Sequence, residues 1–181
     1  SLSNKVRLIA QFAALSLLLY NLQLYTSCSW WGIVLIYIMS IGIINAYNFM
    51  DGVNGITGLV TLAVLGSILY VNQYMFPFTN SDFIIYPMVA SVVFLFFNFR
   101  KKAKCFAGDV GSISIAFWVI YLLLQLIIKS NSIVWLLFLG VYGVETAATI
   151  LHRLFLRQNI FKAHRLHFYQ VLSNGLKIQH R

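Results

Sequence analysis

Apolar residues in this chain come in long blocks, broken by short polar segments. The blocks fall at 7–25, 30–47, 57–76, 83–99, 113–128 and 133–150. Each approaches the ~20 residues that an α-helix needs to cross a hydrocarbon core. Several are near the short end of that range, so their limits are soft by a few residues. The pattern predicts helices and not a barrel, because no ten-residue segments alternate apolar with polar positions. An open sheet edge could not persist in lipid. The expected fold is therefore all-α: a polytopic transmembrane bundle of about six spans, forming a single membrane domain over residues 1–181. Residues 151–181 are expected to form a cytoplasmic tail rich in bases and aromatics.

Composition agrees with this pattern. The chain is 60% hydrophobic and 9% charged, with mean hydropathy +0.82. A water-soluble domain of this length could not bury so much apolar surface. The positive charges then set an orientation. Lys5 and Arg7 precede the first block, and Arg100, Lys101, Lys102 and Lys104 lie between the fourth and fifth. Six more Lys and Arg follow the sixth, which leaves Lys129 as the one base on the other side. The positive-inside rule places both termini in the cytoplasm. The net charge of +9 is thereby explained by topology and attraction to anionic lipid or phosphate, and nucleic acid is not an expected partner. Cys28 and Cys105 fall on opposite sides, so no disulfide framework is expected. No signal peptide is apparent: the chain opens at Ser1, and Lys5 and Arg7 lead into a full-length block.

The outer connections, 26–29, 77–82 and 129–132, are short and turn-forming. The inner ones carry the chemistry. Of four acidic residues, Asp51 and Asp109 stand where apolar blocks meet glycine-rich turns, in NAYNFMDGVNG (45–55) and KCFAGDVGS (104–112). A carboxylate buried in hydrocarbon costs about 2.5–3.5 kcal/mol at a helix centre, so an acid at that border implies use. Asn45, Asn48 and Asp51 are spaced three apart and step round one side of a helix. Gly52 and Gly55 let the backbone turn and approach a ligand. In the second stretch, backbone N–H groups at a helix start favour anions. Asp109 among them would repel phosphate unless a cation bridged the two. Mg²⁺ suits that task, being held by one or two protein oxygens and completed by water and substrate phosphates; Mn²⁺ would serve similarly. Glu145 either pairs with a tail base such as Arg153 or faces the site, and the sequence does not separate the two.

The tail NIFKAHRLHFYQVL (159–172), taken as a helix, has an apolar face of Phe161, Leu166, Phe168 and Leu172 that would lie along the membrane interface. His164, Arg165 and His167 suit phosphate binding or proton shuttling. No H-E-x-x-H pattern occurs, so a zinc site is not expected.

NAYNFMDGVNGITG, CFAGDVGSISIAF and FKAHRLHFYQVL together, in order and spacing, resemble the polyprenyl-phosphate N-acetylhexosamine-1-phosphate transferases. The resemblance covers essentially the whole chain. The HRLHFYQ tail is most similar to the branch that initiates bacterial O-antigen or capsule sugars. It implies an enzyme of the bacterial inner membrane whose cytoplasmic face binds a UDP-N-acetylhexosamine, Mg²⁺ and a polyprenyl phosphate and releases UMP. Carried over residue by residue, it implies Asn48 and Asp109 as metal ligands, with Asp51, Asp109 and His167 as catalytic. Asn54, Phe106, His164 and Arg165 become substrate-binding: Phe106 toward uracil, Arg165 together with His167 toward the diphosphate. A homodimer is compatible with the family.

Three departures stand out. Asn54 and His164 replace residues that are Asp in many relatives. The family's paired Asp-Asp motif lies upstream of a segment resembling SLSNKVRLIAQF, with which this chain opens, and the C-terminus also stops early, at Arg181. The resemblance therefore implies a fragment, one that would be inactive if the acid pair is essential. Two other readings of the residues remain: a catalytically silent membrane scaffold, and a transporter using Asp51, Asp109 and Glu145 as intramembrane sites. A transporter, however, should carry its acids near the midplane.

Overall fold

The computed structural model describes residues 4–156. Within them the chain is helical throughout, with no strand. In order come α1 (Asn4–Asn21), the single turn α2 (Leu24–Ser27), α3 (Trp30–Met50), α4 (Ile56–Tyr74), α5 (Asp82–Asn98) and α6 (Gly108–Ser130). A 3₁₀ segment (Ile133–Leu139) then leads directly into α7 (Gly140–Phe155).

The elements begin and end where local chemistry dictates. Ser29 caps α3, its side chain accepting from the Gly32 N–H. Asn131 closes α6 in the left-handed conformation, φ 51°, which Asn tolerates better than most residues. Pro87 sits inside α5 and has no N–H to give the carbonyl four residues back. That carbonyl, Phe83 O, instead accepts from the Trp118 indole of α6 at 2.7 Å. The helix keeps its course, and the orphaned acceptor becomes a tie to a neighbour.

Three helices, α3, α4 and α6, are long and apolar enough to cross a membrane; α5 and 133–149 are apolar but shorter. The all-helical expectation is met, and of the six expected spans three qualify by length and composition among the described residues. α1 is diluted by Lys5, Arg7 and Gln11 in its first half. Two boundaries differ from expectation. The fifth apolar block was expected from 113, and its helix α6 starts five residues earlier, at Gly108, which puts Asp109 in the first turn, in keeping with the helix start expected there. The last block opens in the tighter 3₁₀ form, where Ser132 caps the Val134 N–H; such turns are common at helix starts.

The larger core cluster centres on Tyr47, Leu65, Ile68, Val119, Leu122 and Leu123, from α3, α4 and α6, and a smaller one gathers Leu18, Leu19 and Leu24. α4 packs chiefly on α5, and α3 on α6. Outward positions are also apolar: on α3, Trp30, Trp31, Leu35 and Ile38 are exposed. A helix apolar on every side needs a non-aqueous surround. Because successive helices reverse direction, the start of α1, the α3–α4 turn and the α5–α6 connection meet at one end of the bundle.

Candidate active site

The site end is built from two turns. α3 delivers Asn48 and ends at Asp51, and the chain reverses through Gly55 at φ 88°, a conformation open to glycine at little cost. A side chain at Gly55 would also overlap the Phe99 ring. From the other side, the α5–α6 connection leads through exposed Phe106 to Gly108 and Asp109, with Asp109 in the first turn of α6.

Four hydrogen bonds lock the turns together. Asn48 Nδ2 donates to Asp109 Oδ1 at 2.8 Å and to Ser112 Oγ at 3.1 Å. The Gly108 N–H donates to Asp51 Oδ2 at 2.8 Å. Asn54 Nδ2 donates to the Arg100 carbonyl at 2.7 Å. Asn48 and Asp109, 61 residues apart, are thus brought into direct contact.

Asp51 uses both oxygens internally, because Oδ1 also accepts from the Thr57 hydroxyl at 2.9 Å. Burial pushes its carboxyl above the ordinary range; bonds from Gly108, Thr57 and the Ala107 backbone pull the other way without cancelling the shift. Asn54 is buried and its amide is spent on the Arg100 carbonyl, so it braces the loop here. Arg100 is itself engaged: its Nε donates to the Phe96 carbonyl, and its guanidinium lies 4.7 Å from the Phe96 ring centre. Lys101, Lys102 and Lys104 are exposed on the same connection. Cys28 and Cys105 are free thiols.

Sequence reasoning passed over two residues at this site. Arg7, assigned above to topology alone, reaches from α1 to Asp109 Oδ1 at 3.2 Å and Asn48 Oδ1 at 3.5 Å. Its spacing in the chain gives no sign of this. Asn98, only 1% exposed, accepts from the Gly55 N–H at 2.6 Å and donates to the Cys105 carbonyl at 2.7 Å. Asn98 did carry a signal: a lone amide within FLFFNFR, in an apolar surround, must find partners. Glu145 lies part-buried on α7, while the Arg153 side chain is outside the described set. The expected contributions of His164, Arg165 and His167 also fall outside the described residues.

The donor set is hard oxygen. Among the described residues no three His, Cys, Asp or Glu gather as a metal cage, which leaves one carboxylate and one amide. Such a sparse set suits Mg²⁺, which keeps water and takes substrate phosphates as its remaining ligands. The Asn48 and Asp109 oxygens already converge on a cationic group, the Arg7 guanidinium, so the pair passes a simple test of fit for a cation.

Helical spans that gather an amide–carboxylate pair and exposed bases at one end define a membrane protein with a polar, anion-attracting site at its rim. The chain belongs to glycosyl transferase family 4, whose sequence model matches residues 1–127. It is 28% identical over 150 residues to a phospho-N-acetylmuramoyl-pentapeptide-transferase of Halalkalibacterium halodurans, covering 80% of this chain and 44% of that protein. It is also 28% identical over 163 residues to a probable undecaprenyl-phosphate N-acetylglucosaminyl 1-phosphate transferase of Bacillus subtilis, covering 81% and 42%. Over a shorter stretch of 89 residues, it is 33% identical to the undecaprenyl-phosphate alpha-N-acetylglucosaminyl 1-phosphate transferase of Escherichia coli, covering 45% and 23%. The chain spans less than half the length of these curated relatives. No solved structure matches it.

Proposed function

We propose that this chain is part of a membrane enzyme that transfers an N-acetylhexosamine 1-phosphate from a UDP-sugar to a polyprenyl phosphate. A phosphate oxygen of the lipid attacks the sugar-linked phosphorus of the donor. The bond from that phosphorus to the bridging oxygen breaks, UMP leaves with the oxygen, and a lipid-linked diphosphate sugar forms. The observation that carries this reading is the contact between Asn48 and Asp109 at 2.8 Å, which joins two turns into one candidate ion site in a chain of this family.

Asn48 and Asp109 would hold Mg²⁺, which when bound neutralises phosphate charge; phosphoryl transfer depends mainly on such neutralisation and on positioning. Asp51 acts here as a positioning residue, fixing the start of α6 through Gly108 and the start of α4 through Thr57. Phe106, exposed beside the site, offers a face for the nucleobase. Asn54 shapes the loop next to it. His164, Arg165 and His167 would add phosphate contacts from the tail, with His167 as the proton-handling group. The bases at the site end support a cytoplasmic active face, with both termini on the cytoplasmic side of the bacterial inner membrane; the six apolar blocks support six spans. The relatives' names support a role in cell-surface polysaccharide synthesis. The tail pattern favours the O-antigen or lipopolysaccharide branch over lipid I synthesis.

The test uses membranes carrying the full-length gene product, labelled UDP-N-acetylglucosamine, Mg²⁺ and undecaprenyl phosphate. Label should move to lipid, with UMP as co-product by mass spectrometry, and Asp109→Asn should lower transfer on the order of 10²–10³-fold. Release of UDP would reject the reaction class. Undiminished transfer by Asp109→Asn would reject the metal site.

A further inference from the structure

The Arg7 guanidinium stands where the two candidate ligand oxygens point. Asn48 cannot turn away from it cheaply. Its Nδ2 is held by Asp109 Oδ1 and by Ser112 Oγ, and Ser112 is fully buried, its own hydroxyl bonded to the Gly108 carbonyl at 2.6 Å. Asn48 Oδ1 is thereby left facing Arg7, and Asp109 Oδ1 faces the same nitrogen. We propose that Arg7 is the resident counter-cation of the Asn48–Asp109 pair, and that a divalent ion enters only by displacing it. This rests on the metal-site reading given above.

Two observations make displacement feasible and useful. The ion pair is open to water, its side chains 28% and 57% exposed, and exposed pairs are weakly held. A guanidinium neutralises the carboxylate and keeps both oxygens aimed at one point, so the site is preorganised before metal arrives. It cannot remain once a divalent ion takes the same lone pairs, since like charges repel at that range. Arg7 is therefore a positioning residue, and the start of α1 should loosen when metal binds.

The experiment measures Mn²⁺ binding by electron paramagnetic resonance to the purified full-length protein, without nucleotide. Arg7→Gln should bind Mn²⁺ about 5-fold more tightly or better, the usual scale of coupling between two competing contacts. Lys5→Gln makes the same charge change on the same helix without touching the pair, and should alter affinity by no more than about 2-fold after screening. An unchanged or weakened affinity in Arg7→Gln, or an equal gain in Lys5→Gln, overturns the proposal.

A second readout keeps Arg7 in place and so does not depend on how that variant folds. A nitroxide attached after Lys5→Cys, with Cys28 and Cys105 changed to Ser, should become more mobile when diamagnetic Mg²⁺ is added. A spectrum indifferent to Mg²⁺ also overturns the proposal. If wild-type protein binds no Mn²⁺, the metal-site reading itself falls and this inference with it. If Mn²⁺ binds, is lost in Asp109→Asn and ignores Arg7, only this inference falls.

Discussion

Asn72 and Asn98 are both buried amides in the last turn of neighbouring antiparallel helices, at opposite ends of the bundle. Asn72 closes its own hairpin. Its Oδ1 accepts from the Phe78 and Thr79 N–H groups, and its Nδ2 donates to the Thr79 carbonyl, all within seven residues. Asn98 reaches 43 residues back to Gly55 while also holding Cys105. The same side chain makes a turn at one end and a joint between turns at the other. That difference separates a connection that only reverses the chain from one that assembles a site. At the far end, Asn72 satisfies its neighbours in sequence. At the site end, Asn98 and Asn48 satisfy partners brought in by other segments, and those partners include the proposed metal ligand Asp109.

The comparison breaks most visibly at Asp109. Asp109→Asn should lower transfer by the full-length enzyme on the order of 10²–10³-fold, the scale seen when a key charge-stabilising group is lost. Its thermal unfolding in detergent should stay close to that of wild type, since the Asp109 side chain is exposed. A similar loss in a far-end variant would show that the two ends are not functionally distinct.

The sharper test pairs the asparagines. Asn98→Ala strands the buried Gly55 N–H and Asn72→Ala the part-buried Phe78 and Thr79 N–H groups, and each should cost about 1–3 kcal/mol of stability. Activity per folded molecule should fall only for Asn98→Ala, because only Asn98 ties the two site turns. Matched losses of activity would erase the distinction.

Glycine gives a third comparison, smaller in effect. Gly55→Ala forces an L side chain to φ 88° against Phe99 and should cost about 1–2 kcal/mol from the left-handed conformation alone. Gly66→Ala, inside α4 with open space around it, should stabilise by about 0.5–1 kcal/mol. Thermal shifts of opposite sign are expected.

The smallest effect concerns pH. Because burial raises the Asp51 carboxyl above its unfolded value, the folded state binds its proton more readily than the unfolded chain does. Stability from this group is therefore greatest at low pH and declines as pH rises from about 3.9 through the raised folded value. Melting curves should show wild type losing stability relative to Asp51→Asn as pH rises through that window. A wild type that gains on Asp51→Asn as pH rises through that window would contradict the shift.

How much of this was legible beforehand follows from the same local-versus-distant divide. The apolar blocks foretold α3, α4 and α6 because lipid-facing helices announce themselves in composition. The two glycine-and-acid turns were visible because Asp51 and Asp109 are costly where they stand. The place of Asp109 at the start of α6 was legible too, because Gly108 to Ser112 leads straight into the fifth apolar block. Arg7 was hidden. Its base fits the positive-inside pattern completely, and only the packing of α1 shows its contact with Asp109. Asn98 could have been suspected as an amide in an apolar run, though its partners could not have been named.

We propose that Asn48 and Asp109, from separate turns, hold one divalent ion together. This proposal is tested most directly by a double-mutant cycle on Mn²⁺ affinity in the full-length protein, using Asn48→Ala, Asp109→Asn and the pair. Shared ligation requires the double variant to bind no worse than the weaker single one, a departure from additivity of about 0.5–3 kcal/mol. Losses that simply add would show the two residues acting at separate places, and the account would be wrong.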